Sequence, residues 1–367
     1  MTTVLYLYLR FISKFSLLIK FLLLPFAWLY GAVSEARLLF FRTGLLRSSR
    51  FDLPVINIGN LTTGGTGKSP HVEYLIRLLS PYFPVAVLSR GYKRKTEGFI
   101  FVTPEHNALD VGDEPLQFKK KFPNTAVAVG ERRAYAIPQL LYLASNTKAV
   151  ILDDAFQHHA VVPSLNILLT EFARPYFSDY LLPVGRLREN RSGAKRAEII
   201  IVTKCPEVLS DMDKKIWLQK IRPLAYQSIF FSYYIYGVPY FIFAPHLQFE
   251  FDSFTDVVLI SGIARNDYLI QSLAQKVKSV TALTFEDHHL FNIDDLNELQ
   301  RLYNNLEGRK KIILTTEKDA MRLYLHKTYV EKNQLPIFVL PIEVKFHDTF
   351  EQKFDDTIKK ALLNFKI

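Results

Sequence analysis

Lys68 and Ser69 close the run Gly64-Gly65-Thr66-Gly67, and together these residues can hold a triphosphate. The apolar run Leu53 to Ile58 predicts a strand leading into the loop, and His71 to Leu79 predicts a helix leaving it, the strand–loop–helix context of a P-loop. Glycines let successive backbone N–H groups turn toward one anion, and the helix N-terminus adds partial positive charge. Thr62, Thr63, Gly64, Gly65, Thr66 and Gly67 would line that cradle. Lys68 would reach the β- and γ-phosphates, and the Ser69 hydroxyl would ligate Mg²⁺. The loop departs from GxxxxGK[ST] at its first position, where Thr62 replaces glycine.

Other residue groupings extend this chemistry. Asp153 and Asp154 end the apolar run Ala149 to Leu152. A carboxylate at the end of a buried strand is where a P-loop protein holds its metal. Val111-Gly112-Asp113-Glu114-Pro115 reads as a turn whose acids could simply be solvated. Far downstream, Glu286-Asp287-His288-His289 lies between aromatic residues. A zinc site would want further ligands at fixed spacing, whereas a kinase needs a base for its acceptor hydroxyl. An Asp–His couple drawn from these two loops could supply one. Ser89-Arg90-Gly91-Tyr92 and Leu181 to Glu189, which carries Arg188, both follow strands or turns, at the edge where doubly wound folds bind ligands.

To position these residues, the chain offers apolar, β-branched runs at 84–88, 98–102, 125–129, 149–152, 165–169 and 198–202. Such runs suit strands buried on both faces. Helical segments between them predict an α/β, P-loop NTPase-like fold with a mostly parallel sheet flanked by helices. Two aromatic runs, 228–235 and 240–243, flank Tyr236-Gly237-Val238-Pro239 and predict a β-hairpin. New strand–turn–helix patterns begin at Val257 and Lys311. The expected division is an N-terminal membrane-associating segment at 1–50, a P-loop kinase core at 51–227, a hairpin linker at 228–245 and a smaller α/β domain at 246–367.

The 367 residues, 49% of them hydrophobic, are enough for two cores, and the single cysteine, Cys205, excludes a disulfide framework. The formal charge of +10 points to an anionic partner, but no nucleic-acid signature accompanies it. Residues 1–50 carry Arg10, Lys14, Lys20, Arg37, Arg42, Arg47 and Arg50 against Glu35 alone. The longest uncharged stretch there, Phe21 to Ser34, is 14 residues, short of the roughly 20 that a spanning helix needs. Basic and aromatic residues among leucines describe a helix lying in a membrane interface. A helix packed on its own domain and a signal peptide are the competing readings.

In order along the chain, GNLTTGGTGKSP at 59–70, SRGY at 89–92, GDEP at 112–115, LDDAFQH at 152–158, LLPVGRLRE at 181–189, SGIARNDYL at 261–269, FEDHHLF at 285–291 and TTEKDAMRL at 315–323 resemble the tetraacyldisaccharide 4′-kinases, the lipid A 4′-kinases of Gram-negative bacteria. Ala155 stands where that family usually has glycine. The resemblance implies transfer of the ATP γ-phosphoryl to the 4′-hydroxyl of a tetraacylated glucosamine disaccharide 1-phosphate. It implies Asp153, Asp154 and Glu189 around Mg²⁺, Arg188 facing the transferring phosphoryl, and Asp113 with His288, rather than His289, as the base couple. A lipid-linked substrate places the enzyme on the anionic cytoplasmic face of the inner membrane, with no nucleic acid and no obligate protein partner. Another P-loop small-molecule kinase, or a non-catalytic nucleotide-dependent membrane switch, would share the phosphate loop. Thr203-Lys204-Cys205-Pro206 and Thr316-Glu317-Lys318-Asp319 only approach the guanine-reading pattern Asn-Lys-x-Asp, so adenine is expected.

Overall fold

The computed structural model describes residues 2–263, 266–347 and 350–365, with backbone alone for 2–19. Ala264 and Arg265 of the 261–269 motif, and the side chains of the first nineteen residues, lie outside the described residues.

The apolar runs form strands close to where the sequence places them. These are β1 (Val55–Asn60), β2 (Val85–Ser89), β3 (Ile100–Phe101), β4 (Ala126–Val129), β5 (Ala149–Asp153), β6 (Leu165–Glu171), β7 (Ile199–Thr203) and β8 (Ser228–Tyr236). The chain continues through β9 (Tyr240–Phe241), β10 (Ala244–Gln248), β11 (Asp256–Ser261), β12 (Ser279–Thr284), β13 (Lys311–Thr316), β14 (Ile337–Leu340) and β15 (Ile342–Phe346). The α-helices are α1 (Thr2–Arg42), α2 (Lys68–Leu79), α3 (Ala108–Val111), α4 (Asp113–Lys121), α5 (Arg133–Leu143) and α6 (Asp211–Ile221). After them come α7 (Asp267–Ala274), α8 (Ile293–Asn304), α9 (Glu317–Leu323), α10 (Lys327–Lys332) and α11 (Phe350–Leu363).

The first sheet runs β15-β8-β7-β6-β1-β5-β2-β4-β3, parallel from β8 to β4 and antiparallel only at its two edges. The second runs β10-β9-β14-β13-β11-β12. β1 is buried at every position. Helix α2 covers it with His71, Val72, Leu75, Ile76 and Leu79, a single stripe of the 3.6-residue period. Each fully buried Ile or Leu of such a core contributes about 1.5–3 kcal/mol. At one edge of the sheet the strands end on buried polar side chains: Asn60, Ser89, Asp153, Glu171 and Thr203. Burial of so many polar groups on one rim has a purpose only if they turn toward a ligand or one another.

The expected hairpin over 228–245 does not form. β8 pairs with β7 and β15 in the first sheet, while β9 pairs with β10 and β14 in the second. The true partner of this segment is about a hundred residues downstream. β8 to β9 and β14 to β15 cross together from one sheet to the other, joined by Ile342 opposite Tyr236 and by Gly237 N–H donating to the Pro341 carbonyl at 3.0 Å. The ribbon therefore returns β15 and α11 to the first sheet, although both lie beyond residue 245. Local alternation of aromatic residues signals a strand but not its partner, which is why the sequence pointed to the nearer one.

Helix α1 runs unbroken for 41 residues through Pro25. Ala27, Gly31 and Leu38 are buried on the first lobe, the part of the molecule built on the first sheet; the second lobe is built on the second. A Cβ on Gly31 would lie 2.8 Å from Leu181 Cδ1, so glycine permits the close approach. Tyr30 Oη donates to the Arg188 carbonyl at 2.9 Å, and Asn190 Nδ2 donates to Glu35 Oε1 at 2.7 Å. The opposite side leaves Phe21, Phe26, Trp28, Leu29 and Val33 exposed, Trp28 to 79%. The stretch Lys20–Arg42 is long and apolar enough, by length and composition, to cross a membrane. The 14-residue uncharged run thus understates the helix, because Glu35 and Arg37 extend it without ending it.

Candidate active site

The phosphate loop leaves β1 at Asn60. Gly67, at the N-terminal end of α2, has φ +89°, and a Cβ there would fall on Tyr234 Oη; backbone angle and space both require glycine. Asn60 Nδ2 donates to Thr66 Oγ1, and Thr203 Oγ1 donates to the Thr66 carbonyl, each at 2.8 Å. Thr63 N–H donates to the Arg186 carbonyl at 2.8 Å, and Thr62 bridges Leu187. Thr62, which replaces the usual glycine, and Thr63 beside it are thus tied to the 181–189 loop. Beneath the turn, His71 Nδ1 lies 2.7 Å from the Gly67 carbonyl. Burial lowers the pKa of this histidine to about 4, so the ring is neutral and Nδ1–H donates.

Lys68 Nζ stands 3.6 Å from Asp154 Oδ2, and Arg188 donates to both oxygens of Asp154, closest at 2.8 Å. Burial would raise the Asp154 pKa, but Lys68 and Arg188 hold it well below the usual carboxylate range. Asp154 has φ +46°, a left-handed backbone costing of order 1–3 kcal/mol in a non-glycine residue. Its neighbour Asp153 is fully buried and accepts from Ser89 Oγ at 2.9 Å. Burial, and then the charges of Glu114 and Asp154, push its pKa up. Asp153 Oδ1 is buried with no hydrogen-bond partner among the described residues. Ser69 Oγ donates to Glu114 Oε1 at 2.9 Å.

An unpartnered carboxylate oxygen beside crowded acids and a serine hydroxyl suits a hard divalent cation with oxygen ligands. Among the described residues no three or more Asp, Glu, His or Cys side chains are grouped to hold a metal. Mg²⁺ needs no such cage, since it binds through one or two carboxylates plus substrate phosphates. Ser69, Asp153 and Asp154 therefore fit Mg²⁺. Glu189 is not brought to them: its carboxylate takes Arg196 and Gln157 Nε2, each at 2.8 Å.

Asp113 and His288 meet across the two lobes. Asp113 Oδ2 lies 2.9 Å from His288 Nδ1 and also accepts from Arg322 Nη1 at 2.6 Å. Burial opposes the Asp113 charge, but the His288 hydrogen bond and the charges of Lys318 and Arg322 hold its pKa below the usual range. His288 has φ +60° and donates its backbone N–H to the Gly262 carbonyl at 3.0 Å. His289 turns away: its Nε2 lies 2.8 Å from Asp295 Oδ2, and its ring stacks on Phe285. Lys68, Ser69, Asp154, Arg188 and His288 share one cavity of about 400 Å³ with ribbon residues including Tyr234 and Tyr236.

Sequence reasoning gave no role to Arg322, 2% exposed behind Asp113, or to Tyr234, whose hydroxyl lies against Gly67, remote in sequence. Glu114 and Lys318 were visible only as members of motifs. A buried arginine four residues after Lys318 on a short helix is a signal that composition alone does not separate from a surface charge.

A family profile described as Tetraacyldisaccharide-1-P 4′-kinase matches residues 19–361. Tetraacyldisaccharide 4′-kinase of Parabacteroides distasonis is 44% identical over 352 residues, covering 94% of this chain and 95% of the relative. The Bacteroides thetaiotaomicron protein of the same name is 42% identical over 348 residues, covering 92% and 91%. Among solved structures, LpxK from Aquifex aeolicus in complex with ATP is similar with a TM-score of 0.71 and 27% identity, covering 94% of this chain and 99% of that one.

Proposed function

Because the chain belongs to the tetraacyldisaccharide-1-P 4′-kinase family, we propose that it transfers the γ-phosphoryl of ATP to the 4′-hydroxyl of a tetraacylated glucosamine disaccharide 1-phosphate. The observation that carries the chemistry is the Asp113–His288 couple at the cavity that also holds Lys68 and Ser69. A nucleotide switch has no use for a base beside its phosphates, and a soluble metabolite kinase has none for the exposed apolar side of α1. Incubation with labelled ATP and the acylated disaccharide, followed by mass determination, tests the reading. A product carrying one added phosphate is expected; ATP hydrolysis with unchanged acceptor would overturn it.

In this reading the acceptor hydroxyl gives its proton to His288 Nε2 as its oxygen attacks the γ-phosphorus. The bond to the β–γ bridging oxygen breaks, and ADP leaves. Asp113 holds the ring through Nδ1–H. Lys68, Arg188 and the loop N–H groups stabilise charge on the phosphoryl oxygens, where preorganised donors contribute most. Ser69, Asp153 and Asp154 would hold Mg²⁺, which would supply positive charge to the triphosphate. Glu189 we assign to fixing the Gln157–Arg196 corner beside the loop, and not to the metal.

Alanine at Asp153 or Asp154 should lower turnover and raise the Mg²⁺ concentration needed for half-maximal rate. Variants matching wild type at every Mg²⁺ concentration would remove the metal assignment.

We place α1 in the membrane interface, with Ala27, Gly31 and Leu38 on the protein and Phe26, Trp28 and Leu29 in the lipid. A helix fixed to a folded lobe along this length cannot be surrounded by acyl chains. Phe26→Glu, Trp28→Glu and Leu29→Glu together should release the protein from anionic vesicles while ATP binding stays within about twofold, since single surface changes leave the fold within ~0.5 kcal/mol. Vesicle flotation and nucleotide titration check both halves. The cytoplasmic face is the side that supplies ATP.

A further inference from the structure

The first turn of α9 takes no part in the chemistry above, yet Glu317 and Lys318 are tied directly to the first lobe and Asp319 through Arg322. Lys121 Nζ donates to Glu317 Oε1 at 2.6 Å and pairs with Glu73 Oε2 at 2.7 Å. Asp319 holds Arg322, which in turn holds Asp113. Between them, Lys318 Nζ lies 3.0 Å from His288 Nε2 and donates to Glu114 Oε1 at 3.3 Å. Glu114 Oε1 is the same atom that accepts from Ser69 Oγ. A hydrogen-bonded chain thus runs from the phosphate loop through Glu114, Lys318 and His288 to Asp113.

An ammonium has three hydrogens and no lone pair, so Nε2 must accept in this contact. The proton of the neutral ring is then on Nδ1, where Asp113 Oδ2 takes it. Nε2 is also the atom that must receive the acceptor's proton. We propose that Lys318 is a positioning residue, which keeps His288 neutral in the one useful tautomer and covers Nε2 until the acceptor hydroxyl replaces its ammonium there. This rests on reading Asp113–His288 as the base couple. The acceptor's proton still passes to Nε2, and Lys318 stays charged throughout.

The groups around the imidazole are few. Asp113 lies on one side with Arg322 behind it, and Lys318 with Glu114 on the other. Asp287 Oδ2, 3.8 Å from Nε2, is beyond hydrogen-bond reach. The Tyr92 ring lies edge-on at 4.9 Å. Burial works against the Lys318 charge, but Glu114, Asp113 and Asp287 outweigh it and hold its pKa above the usual lysine value. Without that ammonium, Asp113, Glu114 and Asp287 outnumber the cation that remains, Arg322 behind Asp113, and favour the imidazolium.

Lys318→Met keeps the stem and removes the charge; Lys318→Arg keeps the charge. The full chain, ¹⁵N-labelled in histidine and assigned through His288→Asn, is titrated by NMR. The wild type should show His288 protonated on Nδ1 with Nε2 free to accept. In Lys318→Met the imidazolium should persist to higher pH, and the acidic limb of kcat/KM should move with it. Lys318→Arg should restore both positions. An unmoved histidine titration in Lys318→Met overturns the proposal whatever the loss of activity. So does a raised KM for ATP with an unmoved pH profile, which would make Lys318 a phosphate contact only. If the Met variant does not fold, Lys318→Gln reads the same spectrum. The expected tautomer without transfer to the lipid would count against the proposed acceptor and leave Lys318 in its role.

Discussion

Lys68→Ala lowers phosphoryl transfer by a factor on the order of 10² or more while the protein melts as the wild type does. The side chain faces the cavity and its recorded ion pair is with Asp154 at 3.6 Å, so no part of either core depends on it. Its loss leaves Asp154 still paired with Arg188 at 2.8 Å, which protects the loop from an uncompensated buried charge. What disappears is a cation at the oxygens where negative charge grows during transfer. Single-turnover measurement with acceptor and saturating ATP checks the result, with circular dichroism as the control on folding. Near-normal turnover in a well-folded variant would sink the phosphate-loop assignment.

The second large effect joins residues 175 positions apart. Removing His288 should cost about 10²–10⁴ in kcat, the usual worth of general acid–base catalysis, and removing both partners should cost little more. The choice of substitution at the acidic partner matters. Asp113→Ala would leave the buried Arg322 guanidinium, 2% exposed, paired with Asp319 but without the second carboxylate it donates to, and a buried donor that loses its acceptor costs about 1–3 kcal/mol. Asp113→Asn keeps an oxygen for Arg322 while removing the charge that steadies the imidazole. The cycle of Asp113→Asn and His288→Ala should therefore be strongly non-additive. Multiplicative losses would mean that the two residues do separate jobs. His289→Ala should matter far less, since its ring is committed to Asp295 and Phe285. A loose transition state asks little of the nucleophile, so positioning accounts for much of the loss.

What could be read from the sequence follows from how local each signal is. The strand, glycine loop and helix of 53–79 are contiguous, and the structure reproduces them with a shift of a few residues at the helix start. Asp153 and Asp154 follow from a strand end in the same way. Asp113 and His288 are far apart; a kinase's need for a base suggested a couple between their loops, and the family's motifs named the two residues. Arg322 and Lys318 act by side-chain reach across two lobes, which no spacing rule encodes. The hairpin error has the same origin: alternation fixes a strand's faces, while its neighbour is chosen by the remainder of the fold. Helix α1 docks one side and exposes the other, so packing on its own domain and contact with a membrane interface, which the sequence set as rivals, do not exclude each other.

The double crossing between the two sheets also sets the order in which the molecule can be completed during synthesis. β8, nine residues of Ser, Ile, Phe and Tyr without a charge, leaves the ribosome long before β15, which covers its outer edge. Until residue 346 emerges, that edge is an open template for pairing with other chains. The closing segment also finishes the helix behind the phosphate loop: Tyr74 Oη donates to Asp355 Oδ1 at 2.8 Å, and its ring packs edge-on against Phe346 and Phe354. A chain clipped before β15 would therefore keep the β8 edge unpaired and is expected to aggregate rather than to work as a slower enzyme.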